Sequence, residues 1–162
     1  MADEIPTIFV KHGSDELVRH LQQYKAVFLV IGGTAVAVHG CRNPLNVDDF
    51  DILIEPTLDN AERIIAGLTA ALVNVSFNAE ALARPAIQIP VKVMQYWADI
   101  LTPQNDVDFS SLLDRSVHAR LSHFNVRVIG RSDLVAMKEQ AAATVSVDLA
   151  KHQRDLQCLK TI

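Results

Sequence analysis

The sequence predicts an α/β chain in the α+β sense, a small mixed β-sheet flanked by helices and closed by C-terminal helices. Three observations predict it. A continuous apolar run, Val27 to Ile31, meets a glycine pair and then a short helical pattern. Short runs rich in Ile, Val, Tyr and Trp between positions 85 and 129 alternate with helical patterns, an order typical of mixed sheets covered by helices. At 162 residues and 49% hydrophobic content, with no internal repeat and no Pro/Gly/Ser linker, the chain is expected to form one domain, 1–162, with a substantial core.

Each element has its own signal. Ser14 can cap a first helix, with Asp15 and Glu16 in its opening turn and Leu17, Val18, Leu21 and Tyr24 on its inward face. Val27 to Ile31 reads as a strand buried on both sides, because its apolar residues do not alternate with polar ones. Gly32-Gly33 ends it. Thr34 to His39 reads as a short helix, Asp49 to Glu55 as a second strand, and Thr57 to Leu72 as an amphipathic helix capped by Thr57. Pro85 to Leu101, interrupted at Pro90, reads as a hairpin, and Asp108 to Arg115 as a helical turn. Short strands follow at His118 to Leu121 and Asn125 to Ile129. Ser132-Asp133 opens a helix through Lys138 to Ala143, and a final helix runs from about Val147 to Leu159.

Composition excludes several classes. No apolar run approaches the roughly 20 residues that span a bilayer, so no membrane partner is expected. Met1-Ala2-Asp3-Glu4 is acidic where a secretory leader is basic, which points to the cytoplasm. Two cysteines, Cys41 and Cys158, without Cys-x-x-Cys spacing, are expected to be reduced bystanders. A net charge of -4 argues against a protein that grips nucleic acid over its whole surface. The segment from Arg115 onward nevertheless carries Arg120, Arg127, Arg131, Lys138, Lys151, Arg154 and Lys160. Such a basic flank beside an acidic half suits a polyanionic substrate, and solvated helix faces explain it equally well.

The candidate chemistry lies in carboxylates. On a strand, Asp49 and Asp51 project from the same face about 6.6 Å apart while Phe50, Ile52 and Ile54 pack behind them. Asp48 has the opposite parity and is expected to face away. Asp99 interrupts the apolar run Tyr96 to Leu101, where an unpaired charge is costly. It either completes a carboxylate triad or forms a salt bridge, with Arg84, Lys92 and Arg127 as partners to consider. Three acids of this kind suit magnesium or manganese, and paired ions can stabilise the attacking and leaving oxygens of a phosphoryl displacement. Asp99 could also accept the proton of the attacking hydroxyl.

Gly32-Gly33-Thr34 allows a phosphate to approach backbone amides at a helix start, and Thr34 adds a hydroxyl. Neither the P-loop nor the Gly-x-Gly-x-x-Gly fingerprint is present. Arg42 offers paired donors to phosphate or is a surface arginine in a turn. Lys138 reaches a nucleotide phosphate or extends to solvent. His39 is expected to make a structural hydrogen bond. His118, His123 and His152 lack zinc-ligand spacing, so no zinc is expected.

Gly32-Gly33-Thr34-Ala35 through His39-Gly40, Arg42, Asp49-Phe50-Asp51 and Asp99 together resemble the nucleotidyltransferase fold of the DNA polymerase beta superfamily, in the minimal bacterial branch that includes toxin-antitoxin nucleotidyltransferases. The segment Ser132 to Lys138, followed by Asp155-Leu156 and Leu159, is similar to the closing part of that branch. Val47 stands where the branch usually has threonine, and Arg42 to Asn46 makes a longer loop. The resemblance implies Mg²⁺- or Mn²⁺-dependent transfer of a nucleoside monophosphate from an NTP to a hydroxyl on RNA or protein. It implies Asp49 and Asp51 as metal ligands, Asp99 as ligand or base, and Gly32, Gly33, Thr34, Arg42 and Lys138 around the NTP. So short a chain leaves placement of the acceptor to a partner protein. The contrasting expectation is an NTP-binding or regulatory module with little or no turnover, such as one partner of a toxin-antitoxin pair.

Overall fold

The computed structural model describes residues 5–10, 13–144 and 149–162. In chain order the elements are β1 (Thr7–Ile8), α1 (Ser14–Gln23), β2 (Phe28–Ile31), α2 (Gly32–Val38), a 3-10 turn (Pro44–Asn46), β3 (Phe50–Ile54), α3 (Leu58–Ala70), α4 (Ala79–Leu82), β4 (Gln88–Val91), β5 (Ala98–Leu101), α5 (Phe109–Asp114), β6 (Val117–Leu121), β7 (Phe124–Val128), α6 (Arg131–Thr144) and α7 (Leu149–Thr161). The expected mixed sheet with flanking helices is present. Its seven strands run in the order β1-β6-β7-β2-β3-β5-β4.

β2 lies at the centre, antiparallel to β3 and parallel to β7. All four of its residues are buried, which is why its apolar run is unbroken. β3 continues the sheet in parallel with β5, and β4 forms the outer arm of the predicted hairpin. Pro90 therefore falls on an edge strand, where a missing N–H is tolerated.

Two helices meet closely at Gly67 of α3. A Cβ there would come within 3.1 Å of Leu21 Cα and 3.2 Å of the His20 carbonyl oxygen on α1, so glycine permits that approach. Leu17, Val18 and Leu21 of α1 and Ile64 and Leu68 of α3 join the same core as the strands. Thr57 caps α3 as predicted, its hydroxyl accepting from the Asn60 N–H at 3.2 Å. Asn60 itself is buried and ties three segments. Its carbonyl oxygen accepts from Val27 N–H at 2.7 Å, while its amide donates to the Val27 and Glu55 carbonyls at 2.9 and 3.0 Å.

Several boundaries differ from expectation. Ser14 is the first residue of α1 rather than its cap; the chain enters through Gly13 at φ +66, a left-handed conformation that favours glycine. α2 begins at Gly32 instead of Thr34, and β3 is one residue shorter at each end than the predicted strand. α6 begins at Arg131, and Asp133, placed by the sequence at its cap, instead meets Arg115 in a two-pronged ion pair at 2.9 and 3.0 Å. The predicted start of the last helix at Val147 lies outside the described residues. β1 and α4 were not predicted, being too short to show a period; β1 is recognisable only through its parallel pairing with β6.

The cysteines correct a further expectation. Cys41 and Cys158 form a disulfide across 117 positions rather than remaining reduced thiols. It fastens α7 to the segment that follows α2. No described helix is long and apolar enough to cross a membrane.

Removing the Asn60 side chain leaves the Val27 N–H without its partner, while the Val27 and Glu55 carbonyls keep the Glu55 and Thr57 N–H groups as donors; a donor left unsatisfied costs about 1–3 kcal/mol. Asn60→Ala is expected to lower unfolding free energy by about 2 kcal/mol in urea titrations; a change under about 0.5 kcal/mol would refute the role assigned to this clip.

Candidate functional site

Parallel pairing of β3 with β5 sets Asp51 directly opposite Asp99. Both side chains leave the same face of the sheet, so the two acids stand side by side. Burial pushes the Asp51 pKa up to about 7; the charges of Asp99 and Asp49 add to the effect, and Lys138 opposes it. The Oδ1 atom of Asp51 is buried without a hydrogen-bond partner.

Gly32 makes room for this carboxylate. At φ +64 it suits glycine, and a Cβ there would run into Asp51 Oδ2. The next residue has a matching reason: a Cβ on Gly33 would collide with the Arg42 guanidinium and lie 3.3 Å from Val47 Cγ1. Both glycines of the sequence motif are thus explained by side chains closing over them.

Asp49 precedes β3 and is half-exposed. Lys92 approaches it and its neighbour together, with Nζ 4.0 Å from Asp49 Oδ2 and 3.6 Å from Asp99 Oδ2. Of the three salt-bridge partners considered for Asp99, Lys92 is the one in place. The same ammonium lies 5.3 Å from the centre of the Trp97 ring. Asp51 and Asp99 therefore meet, while Asp49 stands toward Lys92. Among the described residues no group of three or more His, Cys, Asp or Glu converges on a single ion position.

A cavity of about 660 Å³ opens beside these acids, lined by Gly32, Gly33, Arg42, Val47, Asp48, Asp49, Asp51, Trp97, Lys138, Lys151 and His152. Two of the sequence-predicted cations reach it, but neither stands alone. Arg42 forms a close ion pair with Asp155, and Lys138 Nζ lies 3.2 Å from the same carboxylate. Burial holds the Lys138 pKa below its ordinary value, and Asp155 counters that pull.

Thr34 does not join them. It is 1% exposed within the first turn of α2 and lines no part of this cavity. Asp48 corrects the parity argument. The strand begins at Phe50, so alternation does not extend back to Asp48, which lines the cavity. His39 behaves as predicted, its Nε2 lying 2.8 Å from the Ile129 carbonyl oxygen.

Sequence reasoning missed the contribution of α7. Lys151 and His152 line the cavity, with His152 Nδ1 3.4 Å from Lys138 Nζ, and Asp155 supplies the counter-charge. The i, i+3 and i+4 spacing of Lys151, His152 and Asp155 was a visible sign that these residues share a helix face. The basic flank is otherwise largely committed within the chain: Arg115 pairs with Asp133, Lys160 with Glu139 at 2.6 Å, and Arg127 donates to Ser116 Oγ and the Leu113 carbonyl.

No protein-family model matches the chain, and no curated protein matches it.

A hard divalent cation fits the chemistry of the Asp51–Asp99 pair. It would satisfy the unpartnered Oδ1 and take the place of the proton that burial favours on Asp51, relieving repulsion between buried acids.

Because the folded chain raises the Asp51 pKa from 3.8 to about 7, it retains a proton there that the unfolded chain has lost, so stability falls as pH rises through that window. Asp51→Asn removes this loss. The excess in Tm of Asp51→Asn over wild type is expected to widen between pH 3.8 and about 7 and then level off in metal-free thermal unfolding. A pH-independent difference would contradict it.

Proposed function

We propose that this protein is a metal-dependent nucleotidyltransferase that moves a nucleoside monophosphate from an NTP to a hydroxyl on RNA or protein, in the manner of the DNA polymerase beta superfamily. The observation that carries the reading is Asp51, paired in register with Asp99 and holding an unpartnered buried oxygen, on the wall of a cavity that also receives Arg42, Lys138 and Lys151. Acids and cations around one cavity suit a triphosphate held through metal.

On this reading Asp51 and Asp99, with Asp49 beside them, hold Mg²⁺ or Mn²⁺. The ion would supply charge stabilisation at the phosphoryl oxygens. Arg42, Lys138 and Lys151 orient the triphosphate; Asp155 fixes the first two so that their charge is placed before substrate arrives. The glycine turn at Gly32-Gly33 brings backbone close to the nucleotide. Asp99 accepts the acceptor hydroxyl's proton as its oxygen bonds to the α-phosphorus, the α–β bridging bond breaks and pyrophosphate leaves. An acceptor larger than the cavity calls for a partner protein to position it.

A nucleoside triphosphate is a compound of the cell interior, so this reading assigns the chain to the cytoplasm; the Cys41–Cys158 disulfide is the feature that pulls the other way. A second reading, an NTP-binding module without useful turnover such as a toxin-antitoxin partner, is favoured by the internal pairing of the site. Lys92 engages two of the acids and Asp155 engages two of the cations.

Incubation with labelled NTPs, Mg²⁺ or Mn²⁺ and total cellular RNA or protein tests the proposal. Label transfer is expected from wild type and to fall at least ~100-fold in Asp49→Ala and Asp51→Ala. Metal-dependent NTP binding with no transfer would favour the module, and equal labelling by parent and variants would remove the active-site assignment.

A further inference from the structure

Lys92 holds a position that neither the fold nor the proposed reaction requires. It directly follows β4 at the start of the turn that leads to β5, and its side chain reaches back over the sheet edge to the acids. There it bridges Asp49 and Asp99, the two carboxylates that flank Asp51 in the cluster. The face of Trp97 lies against the same ammonium and favours a cation at that spot. One fixed positive charge is therefore already present between two of the three acids.

A site that takes two divalent ions holds them about 3.5–4 Å apart, so its acids must serve two neighbouring ion positions. Here the acids are divided instead: Asp51 stands opposite Asp99 in the strand register, Asp49 and Asp99 are joined through Lys92, and among the described residues no three of them address one ion position. A second divalent ion between Asp49 and Asp99 would have to expel the lysine. We propose that Lys92 is a built-in cation of the site: the cluster takes a single divalent ion, at Asp51 and Asp99, and the Lys92 ammonium holds the charge position of a second beside Asp49. This rests on the metal-dependent reading above and specifies its ion count.

The lysine differs chemically from the ion it replaces. An ammonium neutralises carboxylate charge and donates up to three hydrogen bonds, but it offers no coordination position and does not acidify bound water. Phosphate held near Asp49 would thus meet a hydrogen-bond donor rather than a Lewis acid. Arginine could preserve the charge, whereas methionine keeps much of the stem and removes it.

The test counts Mn²⁺ ions bound by the full-length chain, using electron paramagnetic resonance of free Mn²⁺, in wild type, Lys92→Met and Lys92→Arg. Quenching of Trp97, the only tryptophan of the chain, is followed in the same titrations. Wild type and Lys92→Arg are expected to bind one ion per chain, and Lys92→Met two, with Mn²⁺ quenching Trp97 more strongly in the methionine variant. Two ions on wild type, or one on Lys92→Met, would overturn this inference and leave the metal-dependent reading standing. Failure of wild type to bind any Mn²⁺ would overturn both.

Discussion

The register of β3 against β5 is the constraint to which the rest of this region responds. It forces two carboxylates together on the face of a largely buried sheet, where neither can be fully solvated. Left unanswered, that arrangement would cost several kcal/mol, as burial of like charges does. The surroundings answer it in different ways: a raised pKa that favours a proton on Asp51, a lysine across Asp99 and Asp49, and a glycine at position 32 that leaves the crowded carboxylate room. Such an expenditure at one spot is typical of places where a fold sets aside stability for chemistry.

A second set of charges, Arg42 and Lys138, also lines the cavity. Asp155 reaches both Arg42 and Lys138, so a single buried carboxylate orders two cations that come from distant parts of the chain. The triplet keeps a net positive charge. Buried ion pairs of this kind contribute little to stability compared with an apolar replacement, and their retention is better explained by what they hold in place. Helix α7 delivers Asp155, and its attachment through Cys158 to Cys41 fastens it next to Arg42 in the sequence and in space. The cavity is thus closed by a helix that arrives last in the chain.

Much of the fold was legible in the sequence because its signals are local. The unbroken apolar run of β2, the cap at Thr57 and the proline in the hairpin each follow from one short segment. The pairing of Asp51 with Asp99 was only partly legible: strand parity showed which face each used, and no property of the separate segments showed that the two strands are neighbours. Lys92 could be named as one of several partners for Asp99, and only the hairpin geometry selects it. Thr34, Asp48 and the cysteines went otherwise than expected for reasons of the same kind. A helix starting two residues early left Thr34 buried in its first turn, a strand starting one residue late released Asp48 from alternation, and a separation of 117 positions concealed the disulfide.

The outermost strand next to the acids has one more consequence. Among the described strands β4 has a neighbour on one side alone, and Pro90, midway along it, contributes no amide hydrogen to any strand that might be laid against it. A foreign chain adding to the sheet there would find its ladder interrupted in the middle. Protection from self-templated fibril growth is therefore written into the same hairpin arm that leads to Lys92, so the segment serving the acids also keeps their margin from being capped by another polypeptide.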